Sequence, residues 1–236
     1  MNRGKGGPDV TATIFERAME FVADGMTVGL GSGRAANRFT ELLGERVRQG
    51  LKVRTTATSQ ATEELARRVG LSPLPLEQAL PLDLTVDGAD EVAPNLDLIK
   101  GYGRALVREK IVASVSKRLV ILVGREKMVP RLGTRGKLPI EVVPFAAASV
   151  LYHVKRLGYD GRYAEAESGP FLSDNGNRIL DVTLAPTADA RQLQANLRGI
   201  PGVVDTGLFL AMADTVLVGD DETFRLGQEL RRPQRV

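Results

Sequence analysis

Apolar and polar positions alternate along the chain in two regimes. Up to about residue 124, short apolar runs alternate with segments of helical period. Residues 11–23 place Ile14, Phe15, Ala18, Met19 and Val22 at helical spacing, and Asp24-Gly25 ends that helix. Residues 26–30 read as a strand that runs into Gly29-Leu30-Gly31-Ser32-Gly33, with a helix over about 35–47 behind it. A second strand spans about 52–57. Thr58 or Ser59 then caps a helix with Glu63 and Glu64 in its first turn and Leu65, Ala66 and Val69 on its apolar side. Pro73, Pro75 and Pro81 mark a loop. Residues 82–86 predict a buried strand that stops at Asp87-Gly88. Residues 96–99 predict a shorter one that stops at Lys100 and Gly101-Tyr102-Gly103. A helix over 105–115 and an apolar strand over 119–123 complete the series. Strands alternating with helices imply an α/β fold, a parallel sheet with helices on both faces.

The rhythm changes near Gly133. Residues 138–144 read as extended and 147–157 as helical. Residues 171–180 read as a hairpin around Asn175-Gly176, 188–197 as helical and 203–209 as extended. This is a small α+β unit of about 75 residues. A strand over 215–218 and a final helix over 222–230 are expected to rejoin the first unit. The expected division is 1–132 with 210–236 as one domain, and 133–209 as the smaller one.

Composition narrows the chemistry. Without cysteine there is no disulfide, thiol nucleophile or thiolate metal site, and a single histidine, His153, excludes a multi-histidine centre. No apolar run approaches the ~20 residues of a membrane span. The polar, glycine-rich start MNRGKGGPDV lacks the apolar core of a signal peptide. The expectation is a cytoplasmic protein with disordered first residues. A net charge of +3 comes from interspersed Lys and Arg, and its local excess, Arg231 to Arg235, reads as a solvated tail. With no Trp and few Phe and Tyr there is no stacking platform, so nucleic acid is not an expected partner.

The chemistry-bearing residues gather at strand ends, where ligands of open α/β sheets bind. Asp87, Asp90, Lys100 and Glu109 are three carboxylates and an ammonium suited to moving protons on a polar substrate. Singly, each has a plainer reading: Asp87-Gly88 as a turn, Asp90 as a cap, Lys100 and Glu109 as solvated charges. The turn from Gly31 to Ala35 aims the backbone N–H groups of Ser32 to Ala35, the Ser32 hydroxyl and a helix N-terminus at an anion. Gly31-Ser32-Gly33-Arg34-Ala35-Ala36 also fits a dinucleotide fingerprint, but no acid ends the next strand to hold a ribose. A sugar phosphate fits better.

Five ordered motifs resemble ribose-5-phosphate isomerase of the A type: VDGADEV at 86–92, IKGYGRALVREKIV at 99–112, LPIEVVPFA at 138–146, SDNGN at 173–177 and IPGVVDTGLF at 200–209. The resemblance implies a Rossmann-like sheet with a small α+β lid, assembly as a homodimer or tetramer, and a phosphorylated sugar substrate. It also implies interconversion of ribose 5-phosphate and ribulose 5-phosphate without cofactor or metal. Carried onto this chain, Glu109 is the base that moves a proton between C1 and C2. Lys100 and the amides of Gly101, Tyr102 and Gly103 stabilise the enediolate oxygen. Asp87 opens the ring and shuttles the hydroxyl proton, and Asp90 orients hydroxyls or Lys100. Gly88 and Ala89 lie in the same substrate-binding loop. Lys127 is kept, but Arg34 and Ala35 stand where the family's turn has hydroxyls, and Thr11 stands where a phosphate-binding lysine is common. The alternatives are an isomerase of a related sugar or sugar phosphate, a non-catalytic sugar-phosphate sensor, and an acyl-CoA transferase.

Overall fold

A computed structural model describes residues 12–187 and 189–233. The expected disorder of the first residues, the position of Thr11, and Gln234 and Arg235 of the tail lie outside them. The first stretch of chain forms α1 (Ile14–Met19), β1 (Thr27–Leu30), α2 (Arg34–Arg48), β2 (Arg54–Ala57), α3 (Gln60–Arg68), α4 (Leu76–Ala79), β3 (Leu84–Gly88), β4 (Glu91–Val92), β5 (Leu98–Ile99), α5 (Leu106–Ser114) and β6 (Leu119–Gly124). The second forms β7 (Lys137–Val142), α6 (Ala147–Arg156), β8 (Asp160–Tyr163), β9 (Glu165–Ala166), β10 (Gly169–Pro170), β11 (Arg178–Thr183), α7 (Ala190–Arg198), β12 (Val203–Thr206), β13 (Leu208–Phe209), β14 (Thr215–Gly219) and β15 (Leu226–Arg231).

Six strands make the principal sheet, in the order β15-β14-β6-β3-β1-β2. All neighbouring pairs are parallel except β14 with β15. Both faces are covered, so the central strands are mostly apolar, and β6 is so without interruption over residues 119–123. Val28, Leu30, Val86, Val120 and Leu122 pack with Phe15 of α1 and Phe39 and Leu43 of α2. The alternate residues Ile121 and Val123 pack on the other side with Leu98, Phe209 and Val216. β2 follows β1 on one side while β3 lies on the other, so the strand order reverses between β1 and β3. That reversal leaves a crevice beyond their carboxyl ends.

Residues 137–206 supply a separate antiparallel sheet, β12-β7-β11-β8, packed against α6 and α7 around Leu138, Ile140, Val142, Val150, Val154, Leu193 and Leu197. A third, three-stranded sheet, β13-β5-β4, ties the two parts together, and the chain re-enters the principal sheet at β14. The Glu91 carboxylate, fully buried, accepts the amides of Gly133 and Arg135 at 2.6 Å each and pins the chain where the second regime begins.

Two expectations are corrected. Residues 222–230 do not form a helix. The Asp220 carboxylate accepts the amides of Glu222, Thr223 and Arg225 and curls 220–225 into a turn. The free edge of β14 then takes residues 226–231 as β15. Gln228, Glu229 and Leu230 favour helix, but an open edge offering a ladder of backbone hydrogen bonds overrides that weak preference. The basic tail is also not wholly solvated: Arg231 belongs to β15, and Arg232 donates to the carbonyls of Ala213 and Leu96.

Candidate active site

The crevice holds a cavity of about 350 Å³. Of the residues singled out above, Ser32, Gly33, Arg34, Ala35, Gly88, Ala89, Asp90, Lys100, Gly101, Gly103, Glu109 and Lys127 line it. Gly31, Asp87 and Tyr102 do not. Gly31 and Asp87 form the layer beneath. A Cβ on Gly31 would stand 2.2 Å from Asp87 Oδ1, so only glycine lets β1 end against that carboxylate. Asp87 Oδ1 accepts the amides of Gly88 at 2.7 Å and Ser32 at 3.1 Å. The Tyr102 ring lies outside the cavity, packed against the core of the second sheet, with the Lys137 ammonium 4.2 Å from its centroid.

Three of the four charged candidates meet in one buried cluster. Lys100, 3% exposed, places Nζ 3.0 Å from Asp87 Oδ2 and 3.2 Å from Glu109 Oε2, and donates to Gly88 O at 2.7 Å. The Lys100 contact with Glu109 is an ion pair without hydrogen-bond geometry, and Glu109 Oε2 accepts no directed hydrogen bond. With both acids ionised the cluster carries two negative charges against one positive. Burial raises the Glu109 carboxyl, Lys100 opposes this, Asp87 adds to it, and the result is about 8. Burial likewise raises Asp87. Burial works to lower Lys100, but the Asp87 and Glu109 carboxylates outweigh it and raise its pKa. A buried carboxyl poised near neutrality beside a fixed ammonium is suited to accept and return a proton.

The anion end differs from expectation. The Ser32 amide is spent on Asp87, and the Ser32 hydroxyl donates to Ser59 Oγ at 2.8 Å within a cluster that includes Thr58 and Thr62. Both are already engaged within the protein, because β1 ends so close to β3 and to the cap of α3. The start of α2 remains, with Arg34 and Lys127 beside it. Asp90 Oδ2 accepts the Tyr102 amide at 2.9 Å, so that amide is also unavailable to substrate, and Asp90 orients the glycine turn.

Sequence reasoning missed Phe224 and Glu126, which also line the cavity. Phe224 comes from the turn before β15, at φ 56°, and its ring lies 5.4 Å from the Arg34 guanidinium carbon. Nothing in the local sequence marks it. Glu126 sits in the charged run beside Lys127. Partial burial and a hydrogen bond with Asp221 raise its pKa. Among the described residues there is no group of three or more His, Cys, Asp or Glu placed to hold a metal ion, and no helix long and apolar enough to cross a membrane.

Residues 54–223 match the sequence model of ribose 5-phosphate isomerase A (phosphoriboisomerase A). The chain is 45% identical over 204 residues to ribose-5-phosphate isomerase A of Deinococcus radiodurans, covering 86% of this chain and 90% of that one. It is 46% identical over 227 residues to the Thermomicrobium roseum protein of the same name, covering 94% and 96%. Among solved structures, ribose 5-phosphate isomerase A from Methanocaldococcus jannaschii superposes with a TM-score of 0.86 at 34% identity, covering 94% of this chain and 98% of that one. A D-ribose-5-phosphate isomerase in complex with phospho-erythronic acid superposes with a TM-score of 0.87 at 34% identity, covering 92% and 96%.

Proposed function

The chain belongs to the ribose 5-phosphate isomerase A family, and from that premise we propose how its own residues interconvert ribose 5-phosphate and ribulose 5-phosphate. One observation carries the assignment: Glu109 is buried, raised to about 8, and stands 3.2 Å from Lys100 on the wall of the cavity. As carboxylate, Glu109 removes the C2 proton of the open-chain aldose and returns it to C1 through an enediolate. The charge that develops on the substrate oxygen is stabilised by the Lys100 ammonium, which Asp87 and Gly88 O hold in place. Asp87, beneath the cavity with one carboxylate oxygen bound to two amides, serves as counter-ion to Lys100. Ring opening, expected of Asp87, is better placed on Asp90, which lines the cavity.

The phosphate lies at the N-terminus of α2, where backbone N–H groups and the helix dipole favour an anion, with Arg34 and Lys127 supplying charge. Arg34 stands where the Ser32 groups are spent, which supports a compensating role. Residues 133–209 act as a lid over the sheet, the protein works in the cytoplasm, and it assembles as a homo-oligomer, as the family resemblance implies. Isomerisation of ribose 5-phosphate in deuterated water tests the chemistry. The unaltered enzyme should exchange the C2 proton during turnover. Glu109→Gln should lose at least ~100-fold in kcat together with that exchange. Normal exchange by the variant would remove Glu109 from the role. Preference of the unaltered enzyme for an unphosphorylated or differently phosphorylated sugar would move the substrate to the related-sugar reading.

A further inference from the structure

The motifs at 138–146 and 173–177, like the one at 200–209, contribute nothing to the cavity. The first two meet instead at one buried polar node. Glu141 of β7 is 1% exposed, yet no cation pairs with it among the described residues. Its Oε1 accepts three hydrogen bonds, from Ser173 Oγ at 3.0 Å, Asn175 Nδ2 at 3.0 Å and Asn177 Nδ2 at 2.8 Å, while Oε2 is buried without a partner. A carboxylate held this way is costly for stability alone, because one oxygen gives up water for nothing. What it does is fix the 173–177 loop. The Ser173 hydroxyl in turn accepts the amides of Asn175 and Asn177.

The fixed loop reaches outward to the catalytic helix. Asn175 offers its amide nitrogen to Glu141 and its oxygen to Arg108, whose Nε donates at 2.8 Å; Arg108 also donates to Asp174 O at 2.8 Å. Arg108 immediately precedes Glu109 on α5, and about 100° of helical turn sends the two side chains in different directions. Arg108 grips the loop outside the cavity and Glu109 faces into it. The same loop accepts the Gln60 amide on Asp174 Oδ2 at 2.7 Å, next to Ser59, whose hydroxyl touches Ser32 of the anion turn. Two further ion pairs bind α5 and the turn just before it to the second sheet. Arg104 is held by both oxygens of Asp181 at 2.6 and 2.9 Å, and Lys110 contacts Asp205 at 2.7 Å.

We propose that Glu141 is a positioning residue for the isomerisation, acting through the 173–177 loop and Arg108 to fix the height and rotation of Glu109 against Lys100. The proposal rests on Glu109 as the base. Since none of these groups lines the cavity, their loss spares substrate binding and lowers the chemical step.

The test uses the full-length enzyme and ribose 5-phosphate. Arg108→Met and Asn175→Ala each cut the link at a partly exposed position. Each should lower kcat by about ten- to a hundredfold, the scale of a misplacement near 1 Å, with KM within about twofold of the unaltered enzyme. The double variant should be no slower than the slower single one, because both cut one link. Glu141→Gln keeps an acceptor oxygen for the three donors and should retain more turnover than Glu141→Ala. If Glu141→Ala does not fold, the Arg108 and Asn175 variants decide the matter alone. Unchanged kcat in a folded Arg108→Met enzyme overturns the proposal. So do losses that add in the double variant, or a KM that rises as kcat falls. Absence of turnover in the unaltered enzyme would instead refute the parent reading, because the proposal is judged only on ratios to it.

Discussion

The charge balance of the buried cluster makes a prediction about pH. Glu109 is raised from an ordinary 4.5 to about 8 because it is buried and shares one ammonium with Asp87. If it must be ionised to accept the C2 proton, only about one-tenth of the free enzyme is competent at pH 7. The value of kcat/KM should therefore climb about tenfold between pH 6 and pH 7 and level off above about pH 9. The second ionisation of the substrate phosphate, near pH ~6, lies about two units lower and is distinguishable. Ketose formation under subsaturating ribose 5-phosphate gives the profile directly. Lys100→Met removes the charge that pulls the Glu109 pKa down, so its residual activity should show the limb displaced to still higher pH. Stability must carry the same signature. A carboxyl whose folded pKa exceeds its unfolded one destabilises the fold as pH rises from the unfolded value through the folded one. The melting temperature of Glu109→Gln should thus gain on that of the unaltered enzyme between about pH 5 and pH 9. A flat kcat/KM profile from pH 7 to 9, with its only limb near 4 to 5, would refute the reasoning: Glu109 would then be solvated or fully compensated.

Three further outcomes follow from the site. Arg34→Ala should raise KM for ribose 5-phosphate by about tenfold, the scale of one charge-assisted hydrogen bond, and leave turnover of unphosphorylated ribose unchanged; equal effects on both sugars would return Arg34 to solvent. Gly31→Ala forces a methyl to within 2.2 Å of the Asp87 carboxylate, so it should cost about 1–3 kcal/mol in denaturant unfolding and depress kcat by disturbing the Lys100 counter-ion; a stable, fully active variant would show that β1 and β3 are not so tightly apposed. Turnover should survive exhaustive chelation and need no nicotinamide; activity lost on chelation and restored by a divalent metal would contradict a mechanism carried by side chains alone.

Sequence legibility followed the range of the interactions involved. The parallel sheet was readable because central strands buried on both faces must be apolar throughout, as in residues 119–123. A cap at Thr58 or Ser59 was readable because capping is settled within a few residues, and the cap is Ser59. The meeting of Asp87, Lys100 and Glu109 was anticipated only through strand ends and motif order, since no local pattern places residues 87 and 109 on one ammonium. What escaped were the consequences of closeness. The Ser32 amide and hydroxyl looked free in the sequence, but β3 and α3 approach so nearly that both are consumed. Phe224 reached the cavity because a turn built on Asp220 replaced a helix that local propensity favoured.

The two surprises bear on one question, how a turn depleted of donors would hold the dianion proposed for it. Closure of β1 on β3 aligns the Lys100 counter-ion and costs the turn its Ser32 donors. The hairpin that displaced the expected helix sets the Phe224 ring under Arg34. A guanidinium held over an aromatic face loses some of its freedom to swing into solvent. The ring thus favours the orientation in which Arg34 can restore charge to the anion end. Phe224→Ala should then weaken ribose 5-phosphate binding in the same direction as Arg34→Ala but to a smaller extent, and add little in the Arg34→Ala background. Independent, additive effects on KM would show that ring and guanidinium are neighbours without a shared task.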